Sequence, residues 1–200
     1  MVAWQSEKKA IQIKERKVIY DGIIEGIGIN LRSVEESDAE FTYNLRQNKE
    51  RTKFVHSVNG TVEDQRNWIN RQRKRPGDYY FVVEDKEGNP IGTVGYYDIK
   101  GVNGEMGRMV INGSFSQNCD AIIQLRRFAF EIIGADYVRC TAVKENKPVI
   151  AQLKRLGGEQ TGSFVDEEEG FEILVFQVKR EAYEKRKEKY WKLVEKSYQL

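Results

Sequence analysis

Apolar and polar positions alternate through "GIGINLRSV" at 26–34, where Ile27, Ile29 and Leu31 are separated by Gly28 and Asn30, and this period of two predicts a first strand. Ser37 is placed to cap a helix beginning at Asp38, which puts Phe41 and Leu45 on one face at i and i+4. "TVEDQRNWINRQRKR" predicts a second helix, opened by Thr61 and Asp64 at capping-box spacing with Asp in place of Glu or Gln. Trp68 reads as core. "DYYFVVEDKEGNPIGTVGYYDI" predicts a hairpin turning at Lys86, Glu87, Gly88, Asn89 and Pro90, and "EMGRMVI" supplies the next strand.

A polar stretch over 112–119 then leads into a helix predicted at about 120–133. There Ala121, Leu125, Phe128, Ala129 and Ile132 recur with helical period, and Asp120, Gln124, Arg127 and Glu131 form one narrow polar stripe. So narrow a stripe predicts a mostly buried helix ended by Gly134. "YVRCTAV" follows as a strand, and its helical connection implies a parallel or crossover arrangement. Asn146 caps a further helix with Pro148 in its first turn, Val149, Leu153 and Leu156 along its buried edge, and Gly157 and Gly158 after it. "TGSFV" and "FEILVFQVK" close the sheet as a hairpin around Asp166 to Gly170, the second run being apolar on both faces as in a central strand. The tail 180–200 predicts a helix with Tyr183, Tyr190, Val194 and Tyr198 on one stripe. That stripe fits either covering the parent domain or pairing two subunits as a homodimer.

Composition narrows the classes. A chain of 200 residues fits one domain with extensions, with boundaries expected at 1–26, 27–179 and 180–200. Lys and Arg number 33 against 31 Asp and Glu, a net charge of +2 that gives no general drive toward nucleic acid or an anionic membrane. No apolar run approaches the ~20 residues of a spanning helix, and the N-terminus lacks a signal-peptide core, so a cytoplasmic location is expected. Cys119, Cys140 and His56 are too few for a disulfide framework or a closed zinc site, so no metal is expected.

The segments "INLRSVEESDAEFTYNLR", "FVVEDKEGNPIGTVGYYDI", "GRMVI" and "LRRFAFEIIGADYVRCTAVKENKPVIAQLKRLGG", in this order and spacing, resemble the GNAT superfamily of acyl-coenzyme-A-dependent N-acetyltransferases. They are most similar to its branch of ribosomal-protein and sugar-amine enzymes, over about residues 27–179. The resemblance implies an α+β fold: a mixed, mostly antiparallel sheet flanked by helices and splayed at the strand carrying Met109, Val110 and Ile111. It implies acetyl-CoA as co-substrate. Main-chain groups of Met109, Val110 and Ile111 would pair with pantetheine, Gln117, Asn118, Cys119, Asp120 and Ala121 would present the helix start to the pyrophosphate, and Asn146 would meet the pantetheine arm. The family's pyrophosphate motif is not matched, since Asp120 and Ile122 stand where it has Gly and Gly or Ala.

Acetyl transfer needs a neutral amine, a stabilised carbonyl oxygen and a protonated leaving thiolate. By resemblance Glu105 is the base, with Asp98 and Glu84 as further candidates, and the Val110 N–H is the oxyanion donor. The family's acid, a Tyr seven residues after the Asn, is replaced by Leu153. Arg71, Arg73, Lys74 and Arg75 end the second helix, which borders the acceptor cleft in this fold; Arg71, Arg73 and Arg75 are candidates for a phosphorylated acceptor. "YYDI", with Tyr96 and Asp98, would line the same cleft. The expected activity is acetylation of a small amine such as a nucleotide-linked amino sugar. A protein N-terminal acetyltransferase and a non-catalytic coenzyme-A-binding or interaction module are the alternatives.

Overall fold

The computed structural model describes residues 18–49, 52–55 and 59–199. Most of the expected N-terminal extension, through position 17, and His56 lie outside the described residues. The strands are β1 (Ile24–Glu25), β2 (Ile29–Ser33), β3 (Tyr79–Asp85), β4 (Pro90–Lys100), β5 (Asn103–Ile111), β6 (Tyr137–Val143), β7 (Gly158–Val165) and β8 (Glu172–Lys179). They form one sheet in the order β1-β2-β3-β4-β5-β6-β8-β7, antiparallel except where β5 meets β6. β8 lies between β6 and β7, as its two apolar faces predict.

Helices α1 (Ala39–Gln47) and α2 (Val62–Gln72) cover one face, closing over Val34, Ala39, Ile69, Tyr80 and Val82. The other face carries α3 (Phe115–Arg127), α4 (Lys147–Arg155), α5 (Arg180–Glu184) and α6 (Lys187–Ser197) over the larger core. Phe128 centres that core in a π-helical turn, Phe128–Ile132, with its ring edge-on to Tyr79 and Phe81 at 5.0 Å and to Tyr20 at 5.2 Å. Gly134 then turns the chain at φ 84°, a conformation that favours glycine.

Local chemistry explains where helices begin. Thr61 and Asp64 form the expected box: the Asp64 carboxylate accepts the Thr61 N–H at 2.8 Å and the Thr61 hydroxyl accepts the Asp64 N–H at 3.2 Å. Ser37 is not the cap of α1. A 3₁₀ turn, Glu36–Asp38, precedes that helix, and the Asp38 carboxylate accepts the Glu35 N–H at 2.7 Å while Arg32 holds it at 2.7 Å. Helix α3 starts five residues before the predicted position. Ser114 and Gln117 make a reciprocal box, at 3.2 Å to the Gln117 N–H and 2.8 Å to the Ser114 N–H, inside the stretch that reads as loop.

The tail covers the parent domain. Tyr183 stacks on Phe130 at 4.6 Å and donates to Glu131 at 2.8 Å, and Tyr190 donates to the Arg155 carbonyl. Farther along, the Ser116 hydroxyl donates to the Ser197 carbonyl at 3.1 Å and Tyr198 donates to Asp120 at 3.4 Å. Helix α6 thus passes from Arg155 at the end of α4 to the start of α3, and its Val194 is buried.

Candidate active site

The sheet opens where the parallel pairing stops. β5 and β6 pair at Gly104 with Val138, Glu105 with Arg139 and Met106 with Cys140, after which β5 continues to Ile111 and β6 to Val143 without pairing with each other. On its other side β5 carries a bulge. The register with β4 moves from Gly95–Gly107 to Thr93–Val110, so β5 holds an extra residue, and Arg108 within it adopts φ 52°. The bulge turns the end of β5 away from β6.

Alternation along β5 then settles which main-chain groups face the opening. The Asn112 N–H donates to the Ile91 carbonyl on β4 at 2.6 Å, so the groups of Val110 also face β4 and those of Met109 and Ile111 face the gap. The oxyanion donor expected at Val110 therefore points into the β4–β5 ladder. Met109 and Ile111 have the outward-facing N–H groups.

At the far end of the gap, Ser114 begins α3 and the first-turn N–H groups of Phe115 and Ser116 lack intrahelical acceptors by geometry. Gln117 and Asn118 turn their side chains back onto this turn, Asn118 donating to the Gly113 and Ser114 carbonyls at 3.2 and 2.8 Å. Cys119 is half-buried, and burial raises its thiol above the usual range. Asp120 and Ala121 are buried, lie beyond the first turn and do not present side chains to the helix start. The Asp120 carboxylate accepts from the Gly28 N–H at 2.8 Å and from Gln124 at 3.1 Å. Asn146 caps α4, accepting from the Val149 N–H at 3.4 Å.

A polar cluster occupies the α1–α2 face of the sheet beside the same opening. Glu105 is buried and fully engaged: one carboxylate oxygen accepts from Arg139 at 2.8 and 2.5 Å, and the other from the hydroxyls of Tyr97 and Thr141, each at 3.2 Å. The expected base is thus an ion-paired group. Burial and the Glu105 charge hold the Tyr97 phenol well above its usual range, so it stays protonated. The Arg108 guanidinium lies 4.1 Å over the Tyr97 ring and 5.2 Å from Trp68, and bonds Asp78 through both of its terminal nitrogens, at 3.1 Å for one. Arg46 approaches Tyr80, Tyr97 and Arg108, and its guanidinium is lowered first by burial and then by the Arg108 charge.

The other expected residues fall elsewhere. Tyr96 is fully buried in the core beneath α3, its hydroxyl donating to the Val102 carbonyl at 3.1 Å, so Tyr97 is the tyrosine on the cleft face. Glu84 pairs with Arg32 at 2.6 Å near the β3–β4 turn, about 20 Å along the sheet from Glu105 by strand rise. Asp98 is exposed at φ 50° at the rim, close enough for its charge to act on Tyr97. Arg73 reaches the Val34 carbonyl beyond β2, and Arg71 and Arg75 are exposed at the end of α2. The sequence reading missed Tyr97, Arg108, Asp78, Arg139 and Thr141. Parity along "YYDI" was the available signal, and it needed the β4 register to be read. Among the described residues no group of three or more His, Cys, Asp or Glu could hold a metal ion, and no helix is long and apolar enough to cross a membrane.

Known structures share the fold. Apo FdhC, a nucleotide-linked sugar GNAT, superposes with a TM-score of 0.75 at 23% identity, over 86% of this chain and 97% of its own. A GCN5-related N-acetyltransferase from Brucella melitensis gives a TM-score of 0.75 at 17% identity, over 88% and 86%. The spermidine N-acetyltransferase of Vibrio cholerae, in complex with CoA and spermine, gives 0.71 at 19% identity, over 78% and 98%. At these identities the likeness is one of fold. No curated protein sequence matches the chain significantly. The family described as Acetyltransferase (GNAT) domain matches residues 29–159, most of the sheet and all of the opening between β5 and β6. The chain belongs to the GNAT acetyltransferases, enzymes that transfer an acetyl group to an amine.

Proposed function

We propose that this chain is an acetyl-CoA-dependent N-acetyltransferase whose acceptor is a small primary amine bearing negative charge, such as a nucleotide-linked amino sugar, attacking the thioester directly in a ternary complex. The observation that carries the acceptor class is the charge of the cleft. Arg46, Arg108 and Arg139 supply three guanidinium groups there; the buried carboxylates among them, Asp78 and Glu105, are bonded to arginine, and Asp98 stands exposed beside Tyr97. A polycationic acceptor would meet no such complement, whereas a phosphate-bearing one would be drawn in. The fold likeness to FdhC is in keeping with this.

The donor reading is supported by the stretch of β5 around Met109 that runs on beyond the last pair with β6, which suits a pantetheine lying as an added strand. The start of α3 suits a pyrophosphate, because helix N-termini favour anions and Asp120 is directed away from it. Acetyl-CoA, when bound, supplies the acyl group and a thiolate leaving group. The chain's own part is to hold the amine in line with the acyl carbon, an effect worth roughly 7–11 kcal/mol of barrier when complete.

Release of free thiol from acetyl-CoA, followed with a panel of amines, tests this. Turnover is expected with nucleotide-linked amino sugars and little with spermidine or peptides. A preference for peptide N-termini would instead make it a protein N-terminal acetyltransferase, and a preference for spermidine would overturn the charge argument. Saturating acetyl-CoA is expected to stabilise the fold by about 2.7 kcal/mol at 100 times its Kd, and no shift would favour a non-catalytic module.

A further inference from the structure

Tyr97 occupies a position that its role as a cleft wall does not explain. A Cβ built on Gly107 would lie 2.2 Å from the Tyr97 hydroxyl oxygen, so the phenol rests on the β5 backbone itself. Gly107 is the first residue of β5 beyond the last pair with β6, and Arg108 of the bulge follows it. The hydroxyl therefore lies at the apex of the opening, on the face where an acceptor would enter. Its proton is directed to Glu105 at 3.2 Å, and its oxygen retains lone pairs for an incoming donor.

Glu105 is divided to match. One oxygen is held by Arg139 and the other faces only hydroxyls, those of Tyr97 and Thr141. The carboxylate is buried, and of its two hydroxyl partners Tyr97 is the one that lies over Gly107 at the opening, which makes Tyr97 the partner placed to meet an amine.

We propose that the Tyr97 hydroxyl is the group that touches the acceptor amine and that it relays the amine proton to Glu105, which Arg139 and Thr141 hold in place. The inference rests on the acetyl-transfer reading above. The amine nitrogen forms the bond to the acyl carbon with its lone pair. Its N–H proton passes to the Tyr97 oxygen as the Tyr97 proton passes to Glu105. The C–S bond then breaks, the thiolate leaves with the electron pair, and the Glu105 carboxyl returns its proton through the Tyr97 hydroxyl, which passes its own to solvent; solvent reprotonates the thiolate. No oxidant or metal is required. Tyr97 is the catalytic group and Glu105 acts through it. Charged groups facing Tyr97 are Glu105 and Asp98 on the negative side and Arg108 and Arg46 on the positive.

The test compares wild type, Tyr97→Phe and Glu105→Gln by thiol release across pH, with the best amine of the panel. Tyr97→Phe keeps the ring under Arg108, so it should fold and bind acetyl-CoA with an unchanged Kd. The expected result is a loss of about 10²-fold in kcat/KM at neutral pH. The ascending limb should move upward toward the amine's own pKa, so that activity recovers as pH rises, and Glu105→Gln should displace the limb in the same direction. An equal loss at every pH would reduce Tyr97 to a packing role and overturn the relay, as would an unchanged rate and limb; acetyl transfer itself would stand in both cases. Wild type that binds acetyl-CoA but releases no thiol with any amine would overturn the function and the relay together.

Discussion

The Asp120 carboxylate accepts the main-chain N–H of Gly28 at 2.8 Å, bracing α3 against the turn between β1 and β2 across 92 residues of sequence. Gln124, one turn on, donates to its second oxygen at 3.1 Å. Replacing Asp120 by Ala takes the acceptor from the Gly28 N–H, the buried Gln124 amide and the Tyr198 hydroxyl, so a loss of about 1–3 kcal/mol is expected in urea unfolding. The Kd for acetyl-CoA should stay the same. A weakened Kd at unchanged stability would mean that the carboxylate serves the donor after all.

Phe128 is fully buried with aromatic rings edge-on around it, and truncation to Ala is expected to cost about 3–5 kcal/mol. Phe128→Leu should cost less because it leaves a smaller cavity. The midpoint shift in guanidinium, with the slope held fixed, measures both.

Gly107→Ala separates activity from stability. The added methyl must displace the Tyr97 phenol, because the site it would occupy is 2.2 Å from the hydroxyl oxygen. A misplacement of about 1 Å near a reacting centre costs on the order of 10²-fold in rate, so thiol release should fall far more than the melting temperature suggests. Retained activity would show that the phenol is not needed at that place.

Docking of the tail should weaken in acid. Burial alone would raise the Glu131 carboxyl, but the Tyr183 hydroxyl and Lys187 outweigh it and hold the carboxyl below its ordinary value. A depressed carboxyl contributes stability fully above its unfolded pKa and loses it as pH falls through the folded one. The stability difference between wild type and Glu131→Gln, followed in urea, should be open at neutral pH and close in acid. A difference independent of pH would remove Glu131 from tail docking.

Neither cysteine should behave as an acyl-enzyme nucleophile. Burial pushes the Cys140 thiol up to about 11 and raises that of Cys119 as well, so little thiolate exists at neutral pH. Alkylation with iodoacetamide should be slow at pH 7 and accelerate with rising pH, and Cys119→Ser should keep wild-type turnover. An acetylated Cys119 trapped on the protein would contradict this.

What the sequence made legible was local or periodic. The Thr61 and Asp64 box, the β3–β4 hairpin and the doubly apolar β8 follow from spacing within one element. The start of α3 was hidden because Ser114 to Asn118 has the composition of a loop, and only the reciprocal Ser114–Gln117 bonds make it a helix. The bracing role of Asp120 is hidden in the sequence because its partner, Gly28, is 92 residues away and carries no side chain to advertise the contact. The cleft failed for a different reason. Adjacent tyrosines at 96 and 97 must face opposite sides of a sheet, and the choice belongs to the register with β3 and β5. Glu105 looked free because Arg139, its parallel neighbour, lies 34 residues later.

Three register pairs join β5 to β6, while β4 pairs with β5 and β6 with β8 along most of their lengths. The sheet is mechanically two plates stitched by a short seam, β1 to β5 on one side and β6 to β8 on the other. A chain-like ligand laid between the plates would add hydrogen-bonded rungs where the protein has none. Its stiffening effect would then be greatest at the seam and would reach both plates at once.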